Sequence, residues 1–322
     1  MDNLTHSLVG AVLGQAGLKR KTGLAMPALI IGANLPDVDA ACFFWLEGTE
    51  HLGFRRGITH GPPAMVLLPL ILAGLLWGYD RWQTKRGKRP ETRLPVHFGW
   101  LYGLALIGCL SHPALDWLNV YGVRLLEPFS SQWFYGDTLF IIDLWLWGLL
   151  GISVFWAWRR EKGGGNQRPI ARTAIAAMLA YIGLNWIVTW ESYQTDGKSA
   201  EPYPSQYIAS PAPIWSLERE RIAKTADDRW ISSAWGGSEF GYGYRNSAQV
   251  QCVLPDLTEQ RRVNSQLDAF LFWSRAPFAT RANDGSIVLH DARFYDPRAR
   301  NRFSVALPEI ECTPLSLEPA SD

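Results

Sequence analysis

The chain has 322 residues, a formal net charge of +1 and a mean hydropathy of -0.06. These averages exclude a strongly basic nucleic-acid-binding chain and a strongly acidic disordered one. They also combine two unlike halves, because apolar runs dominate up to about residue 190 and charged and turn residues dominate afterwards. We therefore expect a mainly α fold: a polytopic transmembrane helix bundle over residues 1–190, then a soluble β-rich (α+β) domain over residues 191–322.

The chain begins with two shorter apolar stretches, at 4–18 and 22–46. Their length and polar interruptions are compatible with a tilted span, a re-entrant pair or buried core helices. The Gly10-x-x-x-Gly14 pair in the first stretch is typical of close helix packing.

Four later runs each approach the ~20 residues that a helix needs to cross a hydrocarbon core. They cover 62–79, 96–115, 139–158 and 173–190. Basic residues cluster after the first and third of these runs and again at Lys19-Arg20-Lys21. Positive loops favour the cytoplasmic side, so one alternating topology accounts for all three clusters. In that topology the C-terminal domain lies outside the cytoplasm.

Six residues of metal-binding type lie in four short blocks inside or beside the apolar segments. The blocks are T-H-S-L-V-G, N-L-P-D-V-D, R-R-G-I-T-H-G and S-H-P-A-L-D-W, and they contain His6, Asp37, Asp39, His60, His112 and Asp116. Imidazoles and carboxylates are costly in apolar surroundings without a partner, and a divalent cation is a common partner. The expected topology puts all four blocks near the outer level of the membrane. We therefore predict a metal site there.

Local spacing also suits a metal site. His112 and Asp116 are four residues apart, so a helix presents both on one face. Asp37 and Asp39 follow a proline, and a non-helical turn lets both carboxylates reach one cation or lets one bridge two. A His/Asp set without thiolate suits Zn, Mn or Fe(II). Taken singly, the blocks also have structural explanations, such as a hydrogen-bonded core histidine at His6 or a helix N-cap at Asp37.

The same blocks carry a resemblance to a known family. The opening M-D-N-L-T-H-S-L-V-G, with N-L-P-D-V-D, R-G-I-T-H and S-H-P-A-L-D-W-L-N-V-Y-G-V-R-L-L-E-P-F-S, resembles the YdjM-type family of membrane-bound metal-dependent hydrolases over roughly residues 1–190. The resemblance implies a bacterial inner-membrane protein. More distantly, the H-x-x-x-D pair and its helical setting are similar to the zinc-dependent phospholipase C and P1 nuclease group, which acts on phosphoesters.

The family motifs can be carried over residue by residue. They fall on His6, Asp37, Asp39, Arg56, His60, His112 and Asp116. The family often has H-R-G-x-T-H, whereas Arg55 stands at the first of these positions here. This departure implies either one ligand fewer or an arginine that binds an anionic substrate.

We therefore expect a metal-dependent hydrolase that acts on a phosphoester of a lipid or lipid-linked substrate at the outer interface. A metal-activated water would attack, with Asp39 or Asp116 as ligand or general base. Arg56, together with Arg55, would hold a phosphate by paired donors. Two alternatives come from other classes: a non-catalytic membrane scaffold that keeps metal for stability, and a transporter subunit. Clustering of the polar residues at one level disfavours the transporter.

The C-terminal domain shows turn-bounded alternating stretches from about residue 198. F-L-F-W-S-R-A-P-F-A-T and S-I-V-L-H-D-A-R-F predict a β-hairpin with its turn at Asp284-Gly285. Acidic residues slightly outnumber basic ones, so no nucleic-acid partner is expected. Cys252 and Cys312 both fall in this domain, and an outer compartment would allow a disulfide. Cys42 and Cys109 lie in apolar segments and are expected to be packing residues.

Overall fold

The computed structural model describes residues 1–199, 204–212, 214–226, 228–234, 251–295 and 299–315. It divides into two compact units. The first consists chiefly of Met1–Ala40 and Arg56–Trp186, and the second combines Ala41–Arg55 with most of the chain after Ile187. The short segment Ala41–Arg55 therefore packs with the C-terminal part of the chain, although it lies within the sequence of the N-terminal part.

Helices dominate the chain before residue 200. They are α1 (Asn3–Gln15), α2 (Ala25–Gly32), α3 (Glu50–Phe54), α4 (Pro62–Lys85), α5 (Phe98–Trp117), α6 (Leu144–Lys162) and α7 (Arg168–Ser199). Among the described residues, α4, α5 and α7 are long and apolar enough to cross a membrane. Helix α2 and the 3₁₀ segment Leu35–Phe44 form a pair bent by 52°, which makes a fourth candidate if the pair is one span.

The predicted span at 139–158 is wrong in extent. Asp143 caps α6 by accepting the N–H groups of Trp145 and Leu146, so the helix begins only at Leu144. Its last turn already contains Arg159 and Arg160. The apolar part of α6 is therefore shorter than the ~20 residues that a span needs.

Glycines let α2 pack directly against the backbones of α1 and α5. A Cβ atom on Gly10 would lie 2.7 Å from the Leu29 carbonyl oxygen, and one on Gly108 would lie 2.6 Å from the same oxygen. A Cβ atom on Gly32 would lie 2.7 Å from the carbonyl oxygen of Ala105. These neighbours are backbone atoms, which cannot rotate away as a side chain can. The packing interpretation of Gly10 agrees with this geometry, and α1 and α5, which carry candidate ligands, both pack closely against α2.

The described residues of the second unit form two antiparallel sheets, each with its strands in sequence order. One sheet contains β1 (Gln206–Pro211), β2 (Arg219–Lys224) and β3 (Trp230–Ala234). The other starts with β4 (Gln251–Cys252), which is followed by helices α8 (Thr258–Val263) and α9 (Ser265–Trp273), and continues with β5 (Pro277–Arg281), β6 (Ser286–Asp291) and β7 (Ser304–Glu311).

The predicted hairpin is confirmed at its turn and wrong at its start. Strands β5 and β6 pair antiparallel with Arg281 opposite Ile287, and Gly285 takes the positive φ of 89° that this turn needs. The F-L-F-W run lies instead in α9, where the Asn264 side chain accepts the N–H of Leu267 as an N-cap. A short apolar run does not distinguish helix from strand by periodicity, and here the cap decides.

The four cysteines fall into two classes. Cys252 and Cys312 form a disulfide with a Cα–Cα distance of 5.4 Å. Cys42 and Cys109 are buried and lie outside this disulfide. The Sγ atom of Cys109 lies 3.8 Å from the Sδ atom of Met65, in agreement with a packing role.

Candidate metal centre

Asp116 lies at the centre of the predicted ligands. Its Oδ1 atom is 3.4 Å from Nε2 of His6, and its Oδ2 atom is 3.5 Å from Nε2 of His60 and 3.6 Å from Nε2 of His112. These imidazoles come from α1, from the 3₁₀ turn before α4 and from α5. His112 and Asp116 lie on one face of α5, as their spacing predicts. Three separate segments therefore direct imidazoles at one buried carboxylate.

The spacings resemble those of ligands that share one ion. Zinc bonds of ~2.0–2.1 Å in a tetrahedron place neighbouring ligand atoms about 3.3–3.4 Å apart. The three N···O distances around Asp116 are 3.4, 3.5 and 3.6 Å. Each of these distances is close to the spacing of neighbouring zinc ligands.

Four buried imidazole nitrogens at this point have no hydrogen-bond partner among the described residues. They are Nε2 of His6, His60 and His112, and Nδ1 of His6. Oδ2 of Asp116 also accepts no hydrogen bond there, but it is ion-paired with Nε of Arg56. Buried polar atoms are nearly always paired, and each unpaired one costs about 1–3 kcal/mol. A divalent cation accepts lone pairs from neutral imidazoles and a carboxylate together. The residues present therefore fit a metal ion.

Asp37 supplies a second carboxylate to the cluster. Its Oδ1 atom lies 3.8 Å from Nε2 of His112. Two groups of three possible ligands occur in the described residues: His6 with His112 and Asp116, and Asp37 with His60 and His112. In each group the donor atoms lie within 4.8 Å of one another. Because His112 belongs to both groups, they form one continuous cluster.

Asp39 approaches this cluster from behind His60. Its Oδ2 atom accepts the backbone N–H of Arg56 at 2.8 Å and the hydroxyl of Thr59 at 3.1 Å. The same oxygen lies 3.8 Å from Nδ1 of His60, whereas Nε2 of that ring is near Asp116. Asp39 is therefore on the opposite side of the imidazole from the converging atoms.

Arg56 is built into the site by several contacts. Its Nε lies 3.1 Å from Oδ2 of Asp116, and its Nη1 donates to Oδ1 of Asn119 at 3.0 Å and to the Gly122 carbonyl at 3.3 Å. The guanidinium also stacks on Tyr121, 4.6 Å from the ring centroid. The backbone of Arg56 has a φ of 54°, which is uncommon outside glycine. Arg56 thus holds Asp116 in place and offsets its charge.

Arg55 is not among the clustered ligand-type residues. It belongs to the second compact unit, where its guanidinium lies 5.5 Å from the ring centroid of Phe43. The substrate-binding role of Arg55 stays a prediction.

Burial sets the protonation of the two histidines of the cluster that lie outside the candidate spanning helices. It lowers the pKa of His6 to about 4 and also lowers the pKa of His60, in each case against the opposing effect of Asp116. Both imidazoles are therefore neutral at pH 7, the form that binds metals.

Some residues that contact the site were not predicted, because their types are not typical metal ligands, although they lie inside the recognised motifs. Thr59 precedes His60, Asn119 follows Asp116 by three residues, and the amino group of Met1 donates to Oδ1 of Asp116. Asp143 is a buried carboxylate that does not belong to the cluster: it caps α6 and accepts the Tyr181 hydroxyl at 2.8 Å.

Another buried histidine, His290, lies in the second unit, away from the cluster. Its Nε2 atom is 3.0 Å from the Thr280 hydroxyl oxygen.

Comparison with known proteins gives one match. A family model described as YdjM inner membrane protein matches residues 1–192, the part of the chain that contains the whole cluster. No curated protein and no solved structure matches the chain. The expected distant likeness to the zinc-dependent phospholipase C and P1 nuclease group is thus not found by these comparisons.

Proposed function

Because the chain belongs to the YdjM inner membrane protein family, we propose that it is a multi-pass inner-membrane metalloprotein that hydrolyses a phosphoester of a lipid or lipid-linked substrate. The observation that carries this proposal is the convergence of three buried imidazoles, whose Nε2 atoms have no hydrogen-bond partner among the described residues, on the Asp116 carboxylate. Zinc is the preferred ion, because three imidazoles and a carboxylate are typical zinc ligands. Mn and Fe(II) are the alternatives.

His6, His60, His112 and Asp116 would hold the ion. When bound, it would polarise a phosphoryl oxygen and lower the pKa of a water molecule. Asp37 is the least buried carboxylate of the cluster, with a side chain 9% exposed. We therefore assign proton exchange with solvent to Asp37, in place of the general-base role predicted for Asp39 or Asp116.

Arg56 would contribute in two ways. Its Nε and Nη1 atoms contact Asp116, Asn119 and Gly122, and so fix the carboxylate at the centre of the site. Its Nη2 atom would donate to an anionic oxygen of the substrate, as charged donors favour phosphates.

A closed site favours one alternative, a metal-stabilised scaffold without catalysis. The side chains of His6, His60, His112 and Asp116 are all at most 1% exposed. Structural zinc sites are closed in this way, whereas catalytic sites keep an open position. The two functions share the metal and differ in turnover.

Turnover measured on the purified full-length protein distinguishes the hydrolase from the scaffold. We expect hydrolysis of a panel of phospholipids and bis-p-nitrophenyl phosphate, loss of turnover after chelation, and recovery on adding zinc. His51→Ala, a histidine of the second unit, is the matched control and should keep full turnover. Stoichiometric metal without turnover on any member of the panel would instead favour the scaffold.

We also propose that the second unit lies outside the cytoplasm. The Cys252–Cys312 disulfide supports this placement, since disulfides persist in oxidising compartments.

A thiol count in cells tests that placement. Cells would be quenched in acid, the protein denatured, and its free thiols labelled with a mass tag. We expect tags only on Cys42 and Cys109, which are not disulfide-bonded, and tags on all four cysteines after reduction. Four tags without a reductant would contradict an oxidising location for the second unit.

A further inference from the structure

A chain of polar contacts runs from Asp39 through Thr59 to His60. The Thr59 hydroxyl donates to Oδ2 of Asp39 at 3.1 Å, and the same Oγ1 atom lies 3.0 Å from Nδ1 of His60. Asp39 and His60 are themselves buried, and Thr59 lies between them. The hydroxyl therefore connects a carboxylate to an imidazole of the cluster.

The number of available protons fixes the direction of these bonds. A carboxylate only accepts, so the single hydroxyl proton of Thr59 goes to Asp39. Oγ1 of Thr59 must then accept, which makes Nδ1 of His60 the protonated nitrogen. The lone pair of the neutral ring is consequently on Nε2, the atom that lies 3.5 Å from Asp116. If the two bonds ran the other way, Oδ2 of Asp39 would have to carry a proton, although the same oxygen already accepts the Arg56 N–H.

His112 reaches the same tautomer by another route. Its Nδ1 atom lies 2.7 Å from the Ala33 carbonyl oxygen, which can only accept, and its Nε2 atom faces the cluster. Histidine ligands commonly bond a carbonyl or carboxylate through the second nitrogen, which orients the ring. The backbone holds His112, and a threonine side chain holds His60.

We propose that Thr59 is a positioning residue of the metal centre. Its hydroxyl links the Asp39 carboxylate to His60 and so keeps the Nε2 lone pair of His60 directed toward Asp116. Asp39 acts through the same contact: it accepts the Thr59 hydroxyl and is not itself a metal ligand. This inference rests on the proposed metal centre and names a residue and a tautomer that the centre requires.

Zinc affinity of the purified full-length protein, measured by competition with a chromophoric chelator, tests the proposal. Thr59→Val keeps the side-chain shape but removes the hydroxyl, and we expect about 10–100-fold weaker zinc binding. Thr59→Ser keeps the hydroxyl and should bind within about threefold of the unchanged protein, since the ring remains oriented. Thr138→Val is the matched control: Thr138 is buried, but its hydroxyl bonds the Gly136 carbonyl, and its loss should leave zinc affinity unchanged.

A double-mutant cycle with Asp39→Asn distinguishes positioning from a general loss of packing. If Asp39 acts through Thr59, the two substitutions together should weaken zinc binding by much less than the product of their separate effects. Multiplying effects would contradict the connection, as would a Thr59→Val protein with unchanged affinity. Failure of the unchanged protein to bind zinc would overturn the metal centre itself, and this inference with it.

Discussion

Asp116→Asn should weaken zinc binding by more than about 100-fold. This exceeds the roughly 10–100-fold loss that is typical when a residue that hydrogen-bonds a metal ligand is replaced. Three imidazoles face the Asp116 carboxylate, and the amide keeps its shape but removes the negative charge. The substitution also leaves the buried Arg56 guanidinium without its anion, at a cost of about 3–5 kcal/mol in stability. Competition titration measures the first effect, and thermal unfolding in detergent measures the second.

Asp143→Asn is the control for this substitution. Asp143 is equally a buried aspartate, but it caps α6 and belongs to neither group of possible ligands in the described chain. Asparagine is also a good N-cap, so stability should change little and zinc affinity not at all. Equal zinc affinities for Asp116→Asn and the unchanged protein would show that the carboxylate is not a ligand.

Gly108→Ala is expected to lower the free energy of unfolding by about 1–3 kcal/mol, the usual cost of an overpacked core. The new methyl group would meet three backbone atoms, the Leu29 oxygen at 2.6 Å, the Ala33 nitrogen at 3.0 Å and the Gly32 carbonyl carbon at 3.2 Å. Helix α2 would have to move away from α5. Because the Ala33 carbonyl orients His112, zinc affinity should fall as well.

Gly103→Ala on the same helix separates packing from helix propensity. A Cβ atom there meets nothing within 4 Å, so alanine should be neutral or stabilising by roughly 0.5–1 kcal/mol. Thermal unfolding of both variants in the same detergent gives the comparison. The close packing of α2 and α5 would be contradicted if the two alanine variants had the same stability.

The sequence predicts the metal-type cluster well because its signal is chemical. Charged and imidazole side chains in apolar segments need partners, and the four motif blocks contain every residue of the two possible ligand groups. The division of roles is not predictable in this way. Asp37 and Asp39 have the same chemistry and lie two residues apart, yet Asp37 reaches His112 while Asp39 binds the Arg56 N–H and Thr59. Only the backbone path through the 3₁₀ segment Leu35–Phe44 decides which of the two carboxylates faces the cluster.

The predictions of the fold that are wrong have similarly local causes. The run at 139–158 is apolar enough for a span, but Asp143 starts the helix late, which a hydropathy window does not register. In the second unit, the Asn264 cap turns F-L-F-W into helix α9. The association of Ala41–Arg55 with the C-terminal part depends on tertiary contacts of α3 with α9. No local pattern in either segment indicates that contact.

The metal content of the unchanged full-length protein, purified without chelators, tests the central claim most directly. Elemental analysis should find about one divalent ion per chain, with zinc predominating, since the two ligand groups share His112. His112→Ala, prepared in parallel, should contain little or none. An unchanged protein that is free of metal and does not bind added zinc would contradict a metal centre at Asp116.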